Sequence, residues 1–316
     1  MSSGVTTGAI DTKAQRRVSP ITEFFKRLIK EKPLGTVGGV IVLVLLIVGI
    51  FANFLAPYGM NEVHPSDALS PPSTKYLLGT DNLGRDLLSR VIYGARISVI
   101  VGVVAATCAT AISTTIGMLS GFLGGKFDIV VQRIIDGWMC FPGIIVLITA
   151  VTIIGPGLWQ VILVLSFTYG IGGSRIVRSA VIGIKGNVYL DAAKSTGCST
   201  TKMLMRHILP NIMAPVIVLF TTRMPAMIMD EASLSFLGLG IPPPQPSWGG
   251  MLSYSGIKYM LLDPLIAIWP GLALTFTVYG VNMLGDAVRD LLDPRLRGGV
   301  GRYGGVNVSK KRLRKK

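Results

Sequence analysis

Two charged residues stand in or beside an otherwise apolar stretch late in the chain. Arg223 and Asp230 are seven residues apart, in a run that begins near Ile212. In an α-helix this spacing is about two turns, so the two side chains share one face. A guanidinium in such a place either pairs with a carboxylate inside the protein or lines a path and binds anionic groups. Both interpretations stay open for Arg223.

Groups suited to covalent chemistry or metal binding are sparse. His64 and His207 are far apart, and Cys108, Cys140 and Cys198 show no spacing typical of disulfides or metal sites. The sequence contains no Gly-x-x-x-x-Gly-Lys-Ser/Thr phosphate-binding loop. We therefore expect no enzymatic activity, no metal and no cofactor in this chain.

Long uncharged runs indicate which elements hold these residues. The chain is 50% hydrophobic and 15% charged, whereas soluble domains carry about 25% charged residues. Residues 33–61, 97–125, 137–174 and 264–285 contain no Asp, Glu, Lys or Arg, and one membrane helix needs about 20 apolar residues. Gly155-Pro156-Gly157 divides the 137–174 run into two spans. The predicted fold is an all-α polytopic membrane protein with six transmembrane helices, at 37–55, 98–122, 129–154, 158–181, 212–228 and 265–284.

The basic residues predict the orientation of these spans. With the N-terminus inside, 25 of the 31 Lys and Arg residues fall on the inner side, as expected for cytoplasmic segments. Both termini are therefore predicted to be cytoplasmic. The expected organisation is a cytoplasmic tail (1–34), a transmembrane domain (35–298) and a basic cytoplasmic tail (299–316). Because the net charge of +15 follows membrane topology, no nucleic-acid partner is expected.

A polar segment, DAAKSTGCSTTKMLMRHILPN, separates the fourth and fifth predicted spans at residues 191–211. It predicts two short helices joined at a break. Ala192 and Ala193 allow close approach of another surface, and Gly197 tolerates the backbone angles of a turn. Pro210 cannot donate to a continuing helix. An ordinary helix–turn–helix loop between spans would share these properties.

This segment resembles the cytoplasmic EAA loop of ATP-binding-cassette (ABC) importer permeases. Asp191 stands where the family has Glu, and His207 stands where it has Ile. The resemblance implies that the segment docks a separate ATPase subunit. The positions that match the family's spacing, with Asp191 in place of Glu, are Asp191, Ala192, Ala193, Gly197, Leu209 and Pro210.

Three more segments resemble the dipeptide/oligopeptide branch of these permeases. They are GTDNLGRDLLSR before the second span, EASLSFLGLGIPPPQPSWGGML after the fifth, and GDAVRDLLDPRL near the C-terminus. The resemblance implies a prokaryotic cell-membrane importer for di- or oligopeptides that works by alternating access. Its other parts would be a second homologous permease subunit, two ABC ATPase subunits that bind and hydrolyse ATP, and an extracytoplasmic solute-binding protein. Arg223 and Asp230 would then be candidates for the translocation path.

Other functions remain open at this point. The same kind of importer could carry nickel chelates, sugars or other small solutes. A stand-alone ion-coupled carrier would need carboxylates near the membrane midplane, but the spans contain mainly Asp136, near an edge. A membrane enzyme would need a His/Glu or Ser/Lys cluster that the spans lack.

Several other charged residues are expected to be structural. Asp81 and Arg85 are four residues apart, and so are Asp86 and Arg90. In a helix, each pair would form an ion pair on the helix surface.

Charges at the inner ends of the spans are also expected to be structural. Asp136 is expected to form an ion pair with Arg133, three residues earlier. Arg175 and Arg178 are expected to snorkel from the inner end of the fourth span.

Overall fold

The computed structural model describes residues 20–292. The predicted C-terminal tail and most of the predicted N-terminal tail lie outside these residues. Within the described range the regular elements are helices, together with one isolated bridge between Thr80 and Asp86. The α-helices are α1 (Pro20–Glu31), α2 (Pro33–Ile50), α3 (Ala52–Leu55), α4 (Leu87–Ile100), α5 (Ala106–Leu123), α6 (Gly125–Met139), α7 (Gly143–Ile154), α8 (Leu158–Lys185), α9 (Val188–Ser195), α10 (Thr200–Lys202), α11 (Met213–Phe236), α12 (Trp248–Met251), α13 (Ile257–Tyr259) and α14 (Leu265–Leu292).

Five helical stretches are long and apolar enough to cross a membrane, and a bent pair of helices would make a sixth span. This confirms the predicted all-α membrane fold, although several boundaries differ. The second span starts at Leu87 rather than at residue 98, because the Asp86 carboxylate caps the helix by accepting from the Ser89 backbone N–H at 2.8 Å. Short π-helical turns join α4 to α5 and lead from α10 towards α11. The helical stretch that contains the fifth predicted span therefore begins at Thr200, before Pro210.

The third predicted span, 129–154, is not one straight helix. Helices α6 and α7 meet at an angle of 88° across a short break. Pro142 lies in this break with extended backbone angles (φ −57°, ψ 127°), so the helix cannot run through it. The distribution of apolar residues gave no sign of this elbow, because the uncharged run that starts at residue 137 continues across the break into α7.

The centre of the bundle is formed by α5, α7, α8 and α11. Val101, Val151 and Leu165 are fully buried there. Helices α5 and α8 approach closely because Gly117 has no side chain. A Cβ at that position would lie 2.6 Å from the Ser174 carbonyl oxygen. This agrees with the small residues of the second span, which favour close helix packing in lipid.

Two arginines of α8 form ion pairs with carboxylates of α6 and do not extend to the membrane–water interface. Arg178 donates to both carboxylate oxygens of Asp128, at 2.6 and 2.5 Å. Arg175 pairs with Asp136, which Arg133 also approaches at 3.5 Å. The predicted Arg133–Asp136 pair is confirmed, whereas the predicted snorkelling of Arg175 and Arg178 is wrong. Because α6 turns at the elbow, its acidic residues lie against α8.

The segment between α3 and α4 contains the predicted Asp81–Arg85 pair, with a distance of 2.7 Å. The pair occurs in a turn before α4, not on a helix surface. The predicted Asp86–Arg90 pair is wrong, because the Asp86 side chain caps α4. Arg90 instead lies 3.5 Å from Asp81. The buried carboxylate of Asp81 therefore pairs with both Arg85 and Arg90.

The candidate translocation cavity and the coupling segment

Arg223 and Asp230 line one cavity, of about 370 Å³. Helix α11 supplies both charged residues, α8 supplies the facing wall, and the α6–α7 elbow closes one side. The spacing of seven residues does place both side chains on one face, as predicted. The lining includes Trp138 and Phe141 at the elbow, Thr168, Tyr169 and Gly172 on α8, and Arg223 and Asp230 on α11.

Tyr169 connects the two charged residues. Its hydroxyl donates to Oδ2 of Asp230 at 2.7 Å. The guanidinium carbon of Arg223 lies 5.3 Å from the centroid of the same ring, within the range of a cation–π contact. Among the described residues, no ion pair of 4.0 Å or less joins Arg223 to Asp230. The cation and the carboxylate therefore face the cavity as separate groups.

Sequence reasoning missed Tyr169. The residue lies in the fourth predicted span, and Asp230 lies 61 positions further along the chain. The available signal was that a buried tyrosine in an apolar helix needs a hydrogen-bond partner for its hydroxyl. The sequence does not identify this partner, because the pairing depends on how α8 and α11 face each other.

Pro225 lies inside α11, between Arg223 and Asp230, and is buried. Proline has no N–H, so one helical hydrogen bond is missing in this turn. The hydroxyls of Thr221 and Thr222 both donate to the Val218 carbonyl oxygen, at 3.1 and 2.8 Å. Their hydrogen bonds therefore stay within α11. The charged face of α11 therefore spans a turn with one fewer backbone hydrogen bond.

Glu231, next to Asp230, has a different role. Its side chain is buried, with 1% exposure, and accepts from the Ser235 hydroxyl at 2.7 Å. The same Ser235 oxygen accepts from the Ile241 backbone N–H at 3.2 Å. Glu231 thus holds the loop that follows α11 and does not line the cavity.

The segment from α9 to the start of α11, residues 188–212, holds the residues expected to dock an ATPase, and we call it the coupling segment. It contains α9 and α10, as the predicted pair of short helices, with the break at Gly197. Gly197 has φ of +75°, which L-residues with a side chain rarely adopt. Asp191, Ala192 and Gly197 are exposed. Ala192, Ala193 and Gly197 border an open concavity, together with Lys202 and His207.

Leu209 and Pro210 occupy a 3₁₀ turn that leads into α11. Leu209 is half-buried and Pro210 is exposed. The coupling segment is held to the bundle by the fully or nearly buried side chains of Leu190, Met203 and Ile208. The structure therefore brings the first four predicted docking residues to one exposed element, and it places Leu209 and Pro210 at the junction with α11.

Residues 113–298 match the family described as binding-protein-dependent transport system inner membrane component. Residues 19–72 match the N-terminal TM domain of oligopeptide transport permease C.

Curated relatives cover most of the chain. A dipeptide transport system permease protein of Alkalihalophilus pseudofirmus is 39% identical over 280 residues, which are 89% of this chain and 91% of the relative. A glutathione transport system permease protein of Pectobacterium atrosepticum is 37% identical, over 88% of this chain and 92% of the relative.

A solved structure has the same fold. The MetNI methionine ABC transporter, in inward-facing conformations, matches with a TM-score of 0.50 and 16% identity, over 65% of this chain and 96% of that chain. Such low identity supports the fold alone. Because a family match covers more than half of the chain and relatives align along nearly 90% of it, this protein belongs to the family of binding-protein-dependent transport system inner membrane components.

Proposed function

We propose that this chain is a membrane-spanning subunit of an ATP-driven importer, and that its solutes are short peptides. The observation that carries the proposal is the cavity in which Arg223 and Asp230 face the same space without pairing directly. Relatives of the chain are named for the transport of dipeptides and of glutathione. Peptides of this kind carry an ammonium group and carboxylates, so a cavity with one charge of each sign suits them.

Arg223 and Asp230 would act on opposite ends of such a solute. A guanidinium binds a carboxylate through two parallel N–H donors, and a carboxylate accepts from an ammonium group. An unpaired Arg within a membrane span costs about 2.5–3.5 kcal/mol on insertion scales. A function at this position would offset that cost, since the ring of Tyr169 supplies only a cation–π contact.

The coupling segment would transmit the energy of ATP hydrolysis. Asp191, Ala192, Ala193 and Gly197 would meet an ABC ATPase subunit, which would bind the nucleotide, so this chain would carry out no covalent step. Leu209 and Pro210 would pass the motion directly into α11, the helix that bears Arg223.

The full importer would contain a second homologous permease, two ATPases and an extracytoplasmic solute-binding protein. The coupling segment and both termini would face the cytoplasm of a prokaryotic cell. The expected domains are those given by the sequence, namely residues 1–34, 35–298 and 299–316.

The test is uptake by the assembled importer in proteoliposomes, with its solute-binding protein and ATP. We expect ATP-dependent accumulation of radiolabelled Ala-Ala. Uptake of a nickel chelate or a sugar with no uptake of peptides would contradict the peptide proposal. Uptake driven by an ion gradient without ATP would contradict the importer itself.

A further inference from the structure

A second cavity, of about 410 Å³, lies between α8, α11 and α14. It is at the end of the bundle that carries the coupling segment, because it begins at the first residues of α11. We call it the inner chamber and the Arg223 cavity the outer chamber. The inner chamber is mostly apolar, and its lining includes Ile176, Pro215, Val218, Leu219, Thr222 and Arg289.

The two chambers follow one another along the groove between α8 and α11. On α8, Thr168 and Gly172 line the outer chamber and Ile176 lines the inner one. Residues four apart lie on the same helix face, so these three form one continuous stripe. On α11, the adjacent residues Thr222 and Arg223 line the inner and outer chambers respectively. The two chambers therefore lie one after the other between α8 and α11.

Arg289 is the charged residue of the inner chamber. Its side chain is exposed and makes no hydrogen bond or ion pair with the other described residues. Its acidic neighbour Asp290 is already bound to Lys32 at 2.5 Å. The arginines at the inner end of α8 differ, since Arg175 and Arg178 are both neutralised by carboxylates of α6. Among the residues that the structure describes, the chamber thus presents one cation without a partner, surrounded by apolar side chains.

We propose that Arg289 is a second binding site for the solute carboxylate, on the exit side of Arg223. The inference rests on the proposed peptide function and adds to it a step within the path. The carboxylate would pass from one guanidinium to the next along the α8–α11 groove. The 3₁₀ turn of Leu209 and Pro210 runs directly into Pro215, which lines this chamber. Motion of the coupling segment would therefore reshape the exit site first.

The experiment measures uptake of Ala-Ala and of its C-terminal amide by the assembled importer in proteoliposomes. The amide lacks the carboxylate but has the same size. With Arg289→Gln, we expect the ratio of Ala-Ala uptake to amide uptake to fall about tenfold, as for the loss of one charge-assisted hydrogen bond. Arg289→Lys should restore most of the ratio. Lys185→Gln is the matched control, because Lys185 is a cation at the same end of α8 outside the inner chamber.

Two other results of the Arg289→Gln measurement overturn the inference. An equal fall for both solutes, or no change for either, means that Arg289 has a structural role or meets an anionic lipid head group. If Arg289→Gln does not assemble, Thr222→Asp provides the second measurement. It places an anion beside Arg289 and should lower the same ratio, and an unchanged ratio would refute the proposal. If the unaltered importer takes up neither solute, the proposed peptide function fails instead, so the two failures are distinguishable.

Discussion

The hydroxyl of Tyr169 donates a 2.7 Å hydrogen bond to Asp230, across the groove between α8 and α11. The same ring lies under the guanidinium of Arg223. Tyr169 therefore orients the carboxylate and at the same time separates it from the cation. Neither charge is therefore taken up by a direct ion pair between Arg223 and Asp230, and under the proposed function both would be available to a solute.

Removing this hydroxyl tests its positioning role. Tyr169→Phe keeps the ring and its contact with Arg223 but loses a hydrogen bond to a charged group, which is worth roughly 1.5–3 kcal/mol. We expect the apparent affinity for Ala-Ala to weaken about tenfold in proteoliposome uptake, with normal assembly. Tyr279→Phe is the control, since Tyr279 is 61% exposed on α14. An unchanged affinity in Tyr169→Phe would show that Asp230 needs no orientation.

Arg223→Gln distinguishes a path residue from a structural one. Because Arg223 faces the cavity and contacts the Tyr169 ring rather than Asp230, we expect assembly and basal ATPase activity to persist while Ala-Ala uptake falls about tenfold. Adding Asp230→Asn should not restore uptake. If Arg223→Gln instead abolishes expression and the double variant recovers it, the two residues form a structural pair.

Gly197→Val tests the coupling segment. A β-branched residue at φ of +75° is strained by about 1–3 kcal/mol, so the turn between α9 and α10 should shift. We expect the ATPase subunits to co-purify poorly while the permease still inserts in the membrane. Gly186→Val is the matched control, because Gly186 lies nearby with φ of −84° and open space around it. Equal yields of the complex from both variants would argue against docking at Gly197.

Cysteine labelling tests the orientation in a variant that lacks Cys108, Cys140 and Cys198. Single cysteines at exposed Ser66 and Gln245 should react with an impermeant maleimide in intact cells. A cysteine at exposed Ser195 should react only after the cells are broken. The reverse labelling pattern would place the coupling segment outside the cell and exclude contact with a cytoplasmic ATPase.

The segment between α3 and α4 should depend on pH through Asp67. Hydrogen bonds from Lys75, at 2.7 Å, and from Tyr76, at 2.8 Å, hold the pKa of this carboxyl below its ordinary value. A lowered folded pKa contributes stability above the unfolded value of about 4, and this stability is lost as the pH falls through the folded pKa. We expect hydrogen exchange in residues 65–80 to be faster in Asp67→Asn than in the unaltered protein at pH 7. The difference should shrink as the pH falls below about 4 and through the lowered folded pKa, and a difference that stays constant as the pH falls would contradict the charge-based account.

Much of the fold follows from local properties of the sequence. Apolar length and the distribution of Lys and Arg predict a polytopic helical protein, because a helix in lipid must satisfy its own backbone and must be about 20 residues long. The break at Gly197 and the common face of Arg223 and Asp230 were also predictable. Both depend on residues within a few turns of one another, where helix geometry is known in advance.

Contacts between helices distant in sequence were decided only by the tertiary structure. The elbow at Pro142 turns α6 so that Asp128 and Asp136 meet the arginines of α8, which sequence reasoning had assigned to the interface. The packing of α8 against α11 brings Tyr169 to Asp230, and α14 places Arg289 in the lining of the same cavity as Thr222. The run of apolar residues in a span indicates how long the helix is, but not how the helix is rotated or tilted. The side chains that meet are selected by packing among all the helices at once.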